Sequence, residues 1–161
     1  GSGKTSIGLL FSKKLNLDFF DIDKCIEKKM GMQISKIFKE KGEKFFRELE
    51  EKTTLNILKN NKTVISLGGG AFSNKNVRDE ILSNHLSFWL NWDNNILINR
   101  IKKSSKRPLA FKATNKELND LIKKRSYFYS KALYKIDCNN LTKIQVVSKV
   151  INIYENEKTN N

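Results

Sequence analysis

Short β-prone runs alternate along this chain with amphipathic stretches of helical length, and that order constrains the fold more than any single residue does. Residues 17–23, 63–67, 86–90 and 134–136 read as strands. Helices are expected over 4–15, 73–82 and 116–131, and from Asp93 through Ile101. Two more, carrying Ile34, Ile37 and Phe38, then Phe45, Phe46, Leu49 and Ile57, are broken near Gly42. The last helix starts at Thr142, where Thr142 and Gln145 make a capping box, and the polar residues after Tyr154 are expected to fray. Strands separated by helices of about 10–15 residues imply βαβ crossovers and a parallel sheet covered on both faces. The expected fold is therefore α/β, a three-layer α/β/α arrangement, in one domain spanning 1–154 with a polar tail at 155–161.

Composition narrows the class. In 161 residues, Lys and Arg number 31 against 17 Asp and Glu, a formal charge of +14. Ten Phe and two Trp supply a core that a disordered chain lacks. No stretch near 18 residues escapes charge, so no membrane-spanning helix is expected. Cys25 and Cys138 fit no metal or disulfide pattern and read as reduced thiols of a cytoplasmic protein. Lysines are spread along the whole chain without aromatic interleaving. They suit solvated faces better than a nucleic-acid surface, so no nucleic-acid partner is expected.

Gly3-Lys4-Thr5, preceded by Gly1-Ser2 and running straight into a helix, is the back half of a P-loop. Glycine lets backbone N–H groups close around phosphate oxygens, lysine reaches the β/γ-phosphates, and a threonine hydroxyl ligates magnesium. The pattern's leading glycine would lie upstream of residue 1. Asp21 and Asp23 end the first strand-like run, and at strand period two both would point the same way. One can hold a metal's water shell and the other accept a hydroxyl proton. Equally, both can be acids favoured at a helix N-terminus, with Asp23 as the cap.

Gly68-Gly69-Gly70 follows an apolar strand and would let a substrate approach backbone amides. Arg125 shares a helical stripe with Leu118, Ile122 and Tyr129, where a guanidinium needs an anionic partner. Arg47 can do the same, or can be a surface arginine paired to Glu43 or Glu50 at helical spacing. Arg107 precedes the only proline, Pro108, in a basic loop at about 102–114 that reads as a mobile lid.

In series, these segments resemble the shikimate kinases, P-loop enzymes of the nucleoside-monophosphate-kinase type. The resemblance runs nearly the whole chain: GSGKT, Asp21-x-Asp23, Gly42-Glu43-x-x-Phe46-Arg47-x-x-Glu50, Gly68-Gly69-Gly70, Arg107-Pro108-Leu109 and Arg125-x-x-x-Tyr129. It implies a P-loop kinase fold and transfer of the ATP γ-phosphoryl group to the 3-hydroxyl of shikimate, with Mg2+, in a cytoplasmic monomer. It further implies that Gly1, Ser2, Gly3, Lys4, Thr5 and Ser6 hold ATP, with Arg100 near the adenine and Arg107 from the lid. Thr5 and Asp21 would serve the metal. Asp23, Phe38, Phe46, Arg47, Gly69, Gly70 and Arg125 would bind shikimate. Lys4, Asp23 and Arg107 would carry catalysis.

Two departures stand out. The family's first strand and leading P-loop glycine are absent here, so the polypeptide as written is expected to be unstable or inactive, with the natural protein beginning upstream. Tyr127 stands where the family commonly has proline. Three rival readings are a gluconate-kinase-like enzyme, a basic nucleic-acid-binding module, and a kinase-like chain that has lost catalysis.

Overall fold

The computed structural model describes residues 1–103 and 113–159. Its elements are α1 (Lys4–Leu15), β1 (Asp18–Asp21), α2 (Ile22–Met30), α3 (Ile34–Leu58) and β2 (Thr63–Ser66). A 3-10 turn (Ala71–Ser73), α4 (Lys75–Asn84), β3 (Phe88–Asn91) and α5 (Asn94–Lys102) follow. The chain then forms α6 (Asn115–Tyr129), β4 (Tyr134–Asp137) and α7 (Lys143–Thr159).

The strands form two parallel pairs. β1 pairs with β2 from Asp18 opposite Thr63 to Asp21 opposite Ser66. β3 pairs with β4 from Phe88 opposite Tyr134 to Asn91 opposite Asp137. Parallel pairing follows from the helical crossovers, as the α/β expectation had it, and the described strands fall into two sheets. Among the described residues no hydrogen-bonded strand joins β2 to β3. Val64 and Ser66 instead share a cavity of about 520 Å³ with Phe88 and Leu90, closed in part by Ile7 and Phe11 of α1.

Most helices bury the face their periodicity marks, whereas Phe45, expected on the apolar stripe of α3, is exposed. Ile7 and Phe11 of α1 pack with Ile136 and Cys138 and with Val146, Val147 and Val150 of α7. Ile22 and Ile26 of α2 meet Ile37, Phe46 and Ile57 of α3. Each such aliphatic side chain contributes about 1.5–3 kcal/mol when buried. Gly42 breaks α3 at φ 82°, a left-handed backbone that glycine adopts without a Cβ penalty. Ile98 and Ile101 of α5 close on Leu118 and Ile122 of α6.

Several sequence expectations are corrected. β1 ends at Asp21, and Asp23 lies in the first turn of α2, so the two acids do not alternate along one strand. Asp21 is the cap, its Oδ1 accepting the Lys24 amide at 3.2 Å. Asn74 caps α4, accepting from the Val77 amide, whereas Ser73 lies in the 3-10 turn. Asp93 precedes α5 without a side-chain cap, because its carboxylate accepts from Asn139 instead. α6 ends at Tyr129, two residues short of the expected limit. The capping box of Thr142 with Gln145 forms, with Thr142 Oγ1 accepting the Gln145 amide at 3.3 Å. α7 continues through Thr159, past the point where fraying was expected. Glu157 accepts from the Tyr134 hydroxyl, which ties that polar end to β4. Arg107, Pro108 and most of the expected lid lie outside the described residues.

Candidate active site

Both strands of the first pair stop where charged chemistry begins. Beyond Asp21 the chain turns into α2, and beyond Ser66 it enters Leu67 and the three glycines. The C-terminal ends of parallel strands are where α/β folds present ligand-binding loops. α1 joins them there. Gly3 sits at its N-cap with φ 84°, and the helix starts with neither a side-chain cap nor an acid in its first turn. Its leading N–H groups have no partner within the helix, and the dipole is positive at that end.

At the start of α1, Ser6 Oγ donates to Gly3 O at 3.0 Å, folding the turn onto itself. Thr5 Oγ1 donates to Asp21 Oδ2 at 2.6 Å. That contact places a hydroxyl and a carboxylate oxygen side by side, two hard donors of the kind Mg2+ accepts when phosphate and water complete its shell. Trp92, just beyond β3, donates its indole N–H to Ser2 O at 3.0 Å. The Arg100 guanidinium lies over the same indole, 3.8 Å from the ring centre, and Gly1 packs against Leu97, Arg100 and Ile101 of α5. Arg100 thus stands beside the loop, on the indole face.

The other end is dominated by α3. Arg47 donates to Glu43 Oε1 from Nε at 3.2 Å and from Nη2 at 3.0 Å, and to Glu50 Oε2 from Nη1 at 2.8 Å. Both carboxylates that the spacing offered are engaged. Its guanidinium also lies 5.8 Å from the Phe38 ring and 5.2 Å from the Phe46 ring, and those rings pack 4.5 Å apart. Burial works against the charge on Arg47, but hydrogen bonds to Glu50 and Glu43 raise its pKa above the ordinary arginine value.

Glu50 belongs to this cluster, although sequence reasoning offered it only as a partner for Arg47 and gave it no place among the site residues. It is only 3% exposed, on the buried stripe that also carries Phe46, Thr53, Thr54 and Ile57. An acid three residues after an arginine and on a core stripe was the available signal. Burial pushes its carboxyl above the usual range, and nearby Asp23 adds to the rise, while Arg47 and Arg125 pull it down.

The glycine triplet joins the two ends. Gly68 lies against Glu50 and Asp23, Gly69 against the Arg125 guanidinium, and Gly70 against that of Arg47. Tyr129 donates its hydroxyl to Gly69 O at 2.6 Å, fixing α6 onto the triplet. The wall of the cavity between β2 and β3 includes Gly1, Ser2 and Lys4 as well as Gly68, Gly69 and Arg125. A second cavity, of about 370 Å³, is lined by Arg47, Glu50, Gly70 and again Arg125. Two carboxylates and two guanidiniums from α2, α3 and α6 therefore converge on three residues of backbone.

Comparison with known proteins gives one answer. The family model for shikimate kinase matches residues 1–155. A shikimate kinase of Thermodesulfovibrio yellowstonii is 38% identical over 156 residues, covering 96% of this chain and 90% of the relative. One of Bacillus subtilis is 36% identical over 159 residues, covering 94% and 82%. Among solved structures, the shikimate kinase of Acinetobacter baumannii in complex with shikimate superimposes with a TM-score of 0.90 at 27% identity, over 98% of this chain and 89% of that one. The Aquifex aeolicus enzyme gives 0.86 at 30% identity, over 98% and 92%. With a glycine-started helix facing an acid-and-arginine cluster and a match over nearly its whole length, this chain belongs to the shikimate kinase family.

Proposed function

We propose that this protein transfers the γ-phosphoryl group of ATP to the 3-hydroxyl of shikimate, with residues 1–154 acting as one kinase domain. The observation that carries this reading is the convergence of Arg47, Arg125, Asp23 and Glu50 on Gly68–Gly70. An acid bearing both a carboxylate and hydroxyls needs cations at one end and a proton acceptor at the other. Arg47 and Arg125 take the carboxylate, each charged hydrogen bond contributing about 1.5–3 kcal/mol. Phe38 and Phe46 give the ring an apolar wall. The amides of Gly69 and Gly70 add donors. Asp23, held beside Gly68, orients the hydroxyl and accepts its proton as the oxygen attacks.

Lys4 and the amides of Gly1–Ser6 hold the phosphates at the start of α1. Arg100 flanks the base. Thr5 and Asp21 would hold Mg2+, which when bound spreads the charge of the phosphate oxygens. A loose transition state leaves the protein chiefly positioning and charge stabilisation, and this arrangement suits both. Arg107, assigned by sequence to a lid, would bring positive charge to the transferring group.

The free thiols of Cys25 and Cys138 suit a reducing cytoplasm, and no helix among the described residues is long and apolar enough to cross a membrane. A monomer suffices, since one chain supplies every group named. Coupled ADP release from the full-length protein tests the reading. ADP should appear only with shikimate and Mg2+ present. Turnover of gluconate with none of shikimate would overturn it.

A further inference from the structure

The three glycines need an explanation of their own. None of Gly68, Gly69 and Gly70 has a positive φ; that conformation is confined among the described glycines to Gly3, Gly31 and Gly42. Backbone freedom is therefore not what requires glycine here. Space is. A Cβ on Gly68 would overlap Glu50 Oε1 and stand 2.8 Å from Asp23 Oδ1. On Gly69 it would stand 3.0 Å from Arg125 Nη1 and 3.5 Å from its Cζ. On Gly70 it would overlap Arg47 Nη1 and stand 3.0 Å from its Cζ. The room left by the absent side chains is filled by the protein's own charged groups, one set per glycine.

The backbone cannot easily yield. Gly69 O accepts from Tyr129, Gly68 O from the Ala71 amide at 3.2 Å, and Gly70 O from the Ser73 amide at 3.0 Å. An added methyl at Gly69 or Gly70 would meet the far end of a long side chain, so the guanidinium moves and the fold survives. We propose that the triplet is a positioning element: Gly68 reserves the place of Glu50 and Asp23, Gly69 that of Arg125, and Gly70 that of Arg47. Consecutive residues thus set the spacing between the two cations that read the carboxylate. This rests on the proposed function for its kinetic consequences, but its packing content does not.

Gly70→Ala, Arg47→Ala and the double variant, made in the full-length protein, decide it. Gly70→Ala should raise the KM for shikimate at least about tenfold while that for ATP stays within about twofold. In the Arg47→Ala background the same change should alter the shikimate KM less than about twofold. A full multiplicative loss in that background would mean the glycine serves the substrate's approach, and the proposal fails. Thermal unfolding of the same four proteins needs no turnover. Gly70→Ala should lower Tm by about 2–4 °C through displacement of the Arg47–Glu50 pair, and by clearly less once Arg47 is gone. Equal shifts in both backgrounds overturn the proposal. Wild-type protein that ignores shikimate would instead overturn the functional reading, leaving the unfolding cycle to decide this one.

Discussion

At the acid end of the site, Arg47 is held by Glu43 and Glu50, and Glu50 lies in the fields of Asp23 and Arg125. At the end proposed for phosphate, α1 opens on Gly3 with no side-chain cap and no acid in its first turn. The first region sets cations against carboxylates, the buried Glu50 among them, so its geometry can be fixed before an acid arrives. The second keeps a helix terminus uncapped by side chains, where an anion is favoured by N–H groups and dipole together. Preorganised opposite charges suit selection of one rigid acid. An open helix terminus suits any polyphosphate, and it leaves discrimination to the other end.

Substitutions at each end should separate along the same line, and the residue at their junction should cost most. Asp23→Asn is expected to lower kcat by about 10²–10⁴-fold. Single-turnover kinetics with saturating substrates checks this, and near-normal turnover would remove Asp23 from the chemistry. Arg125→Ala should raise the KM for shikimate roughly 10–100-fold with little change for ATP. Equal effects on the two substrates would break the contrast between the ends.

Arg100→Ala probes the opposite side. Loss of a cation stacked on Trp92 should raise the ATP KM by about 2–5-fold and spare that of shikimate. The smallest effect concerns Glu50. Its folded-state pKa lies above the ordinary carboxylate value, so the native state binds its proton more tightly than the unfolded chain does. Its contribution to stability is thus greatest below about pH 4 and is lost as pH rises through the folded-state value. Relative to Glu50→Gln, wild-type stability should fall over that interval in urea titrations; a flat or rising difference would contradict the buried-acid description.

Local pattern carried much of this to the sequence level. The start of α1 follows from the glycines, and its buried face from the apolar spacing of Ile7 and Phe11. The break in α3 follows from Gly42, and the capping box from Thr142 and Gln145. Asp21 and Asp23 misled because a strand running directly into a helix leaves no spacer, so period two and period 3.6 overlap on the same residues. Arg47 was ambiguous because spacing offers it two acids on its own helix, and local pattern does not show whether a guanidinium so paired also faces a ligand. The pairing of Trp92 with Ser2 spans 90 positions, and no local periodicity encodes such a contact. The glycine triplet was visible, but whose atoms fill its empty space is a property of three helices brought together.

Trp92 has a practical consequence. Its indole is bonded to the carbonyl of the phosphate loop and covered by the Arg100 cation. A nucleotide settling on Gly1–Ser6, as proposed, is expected to alter the polarity and quenching around that ring. With Trp89 replaced by phenylalanine, emission from the unlabelled chain is expected to report nucleotide at that loop in a titration without catalysis.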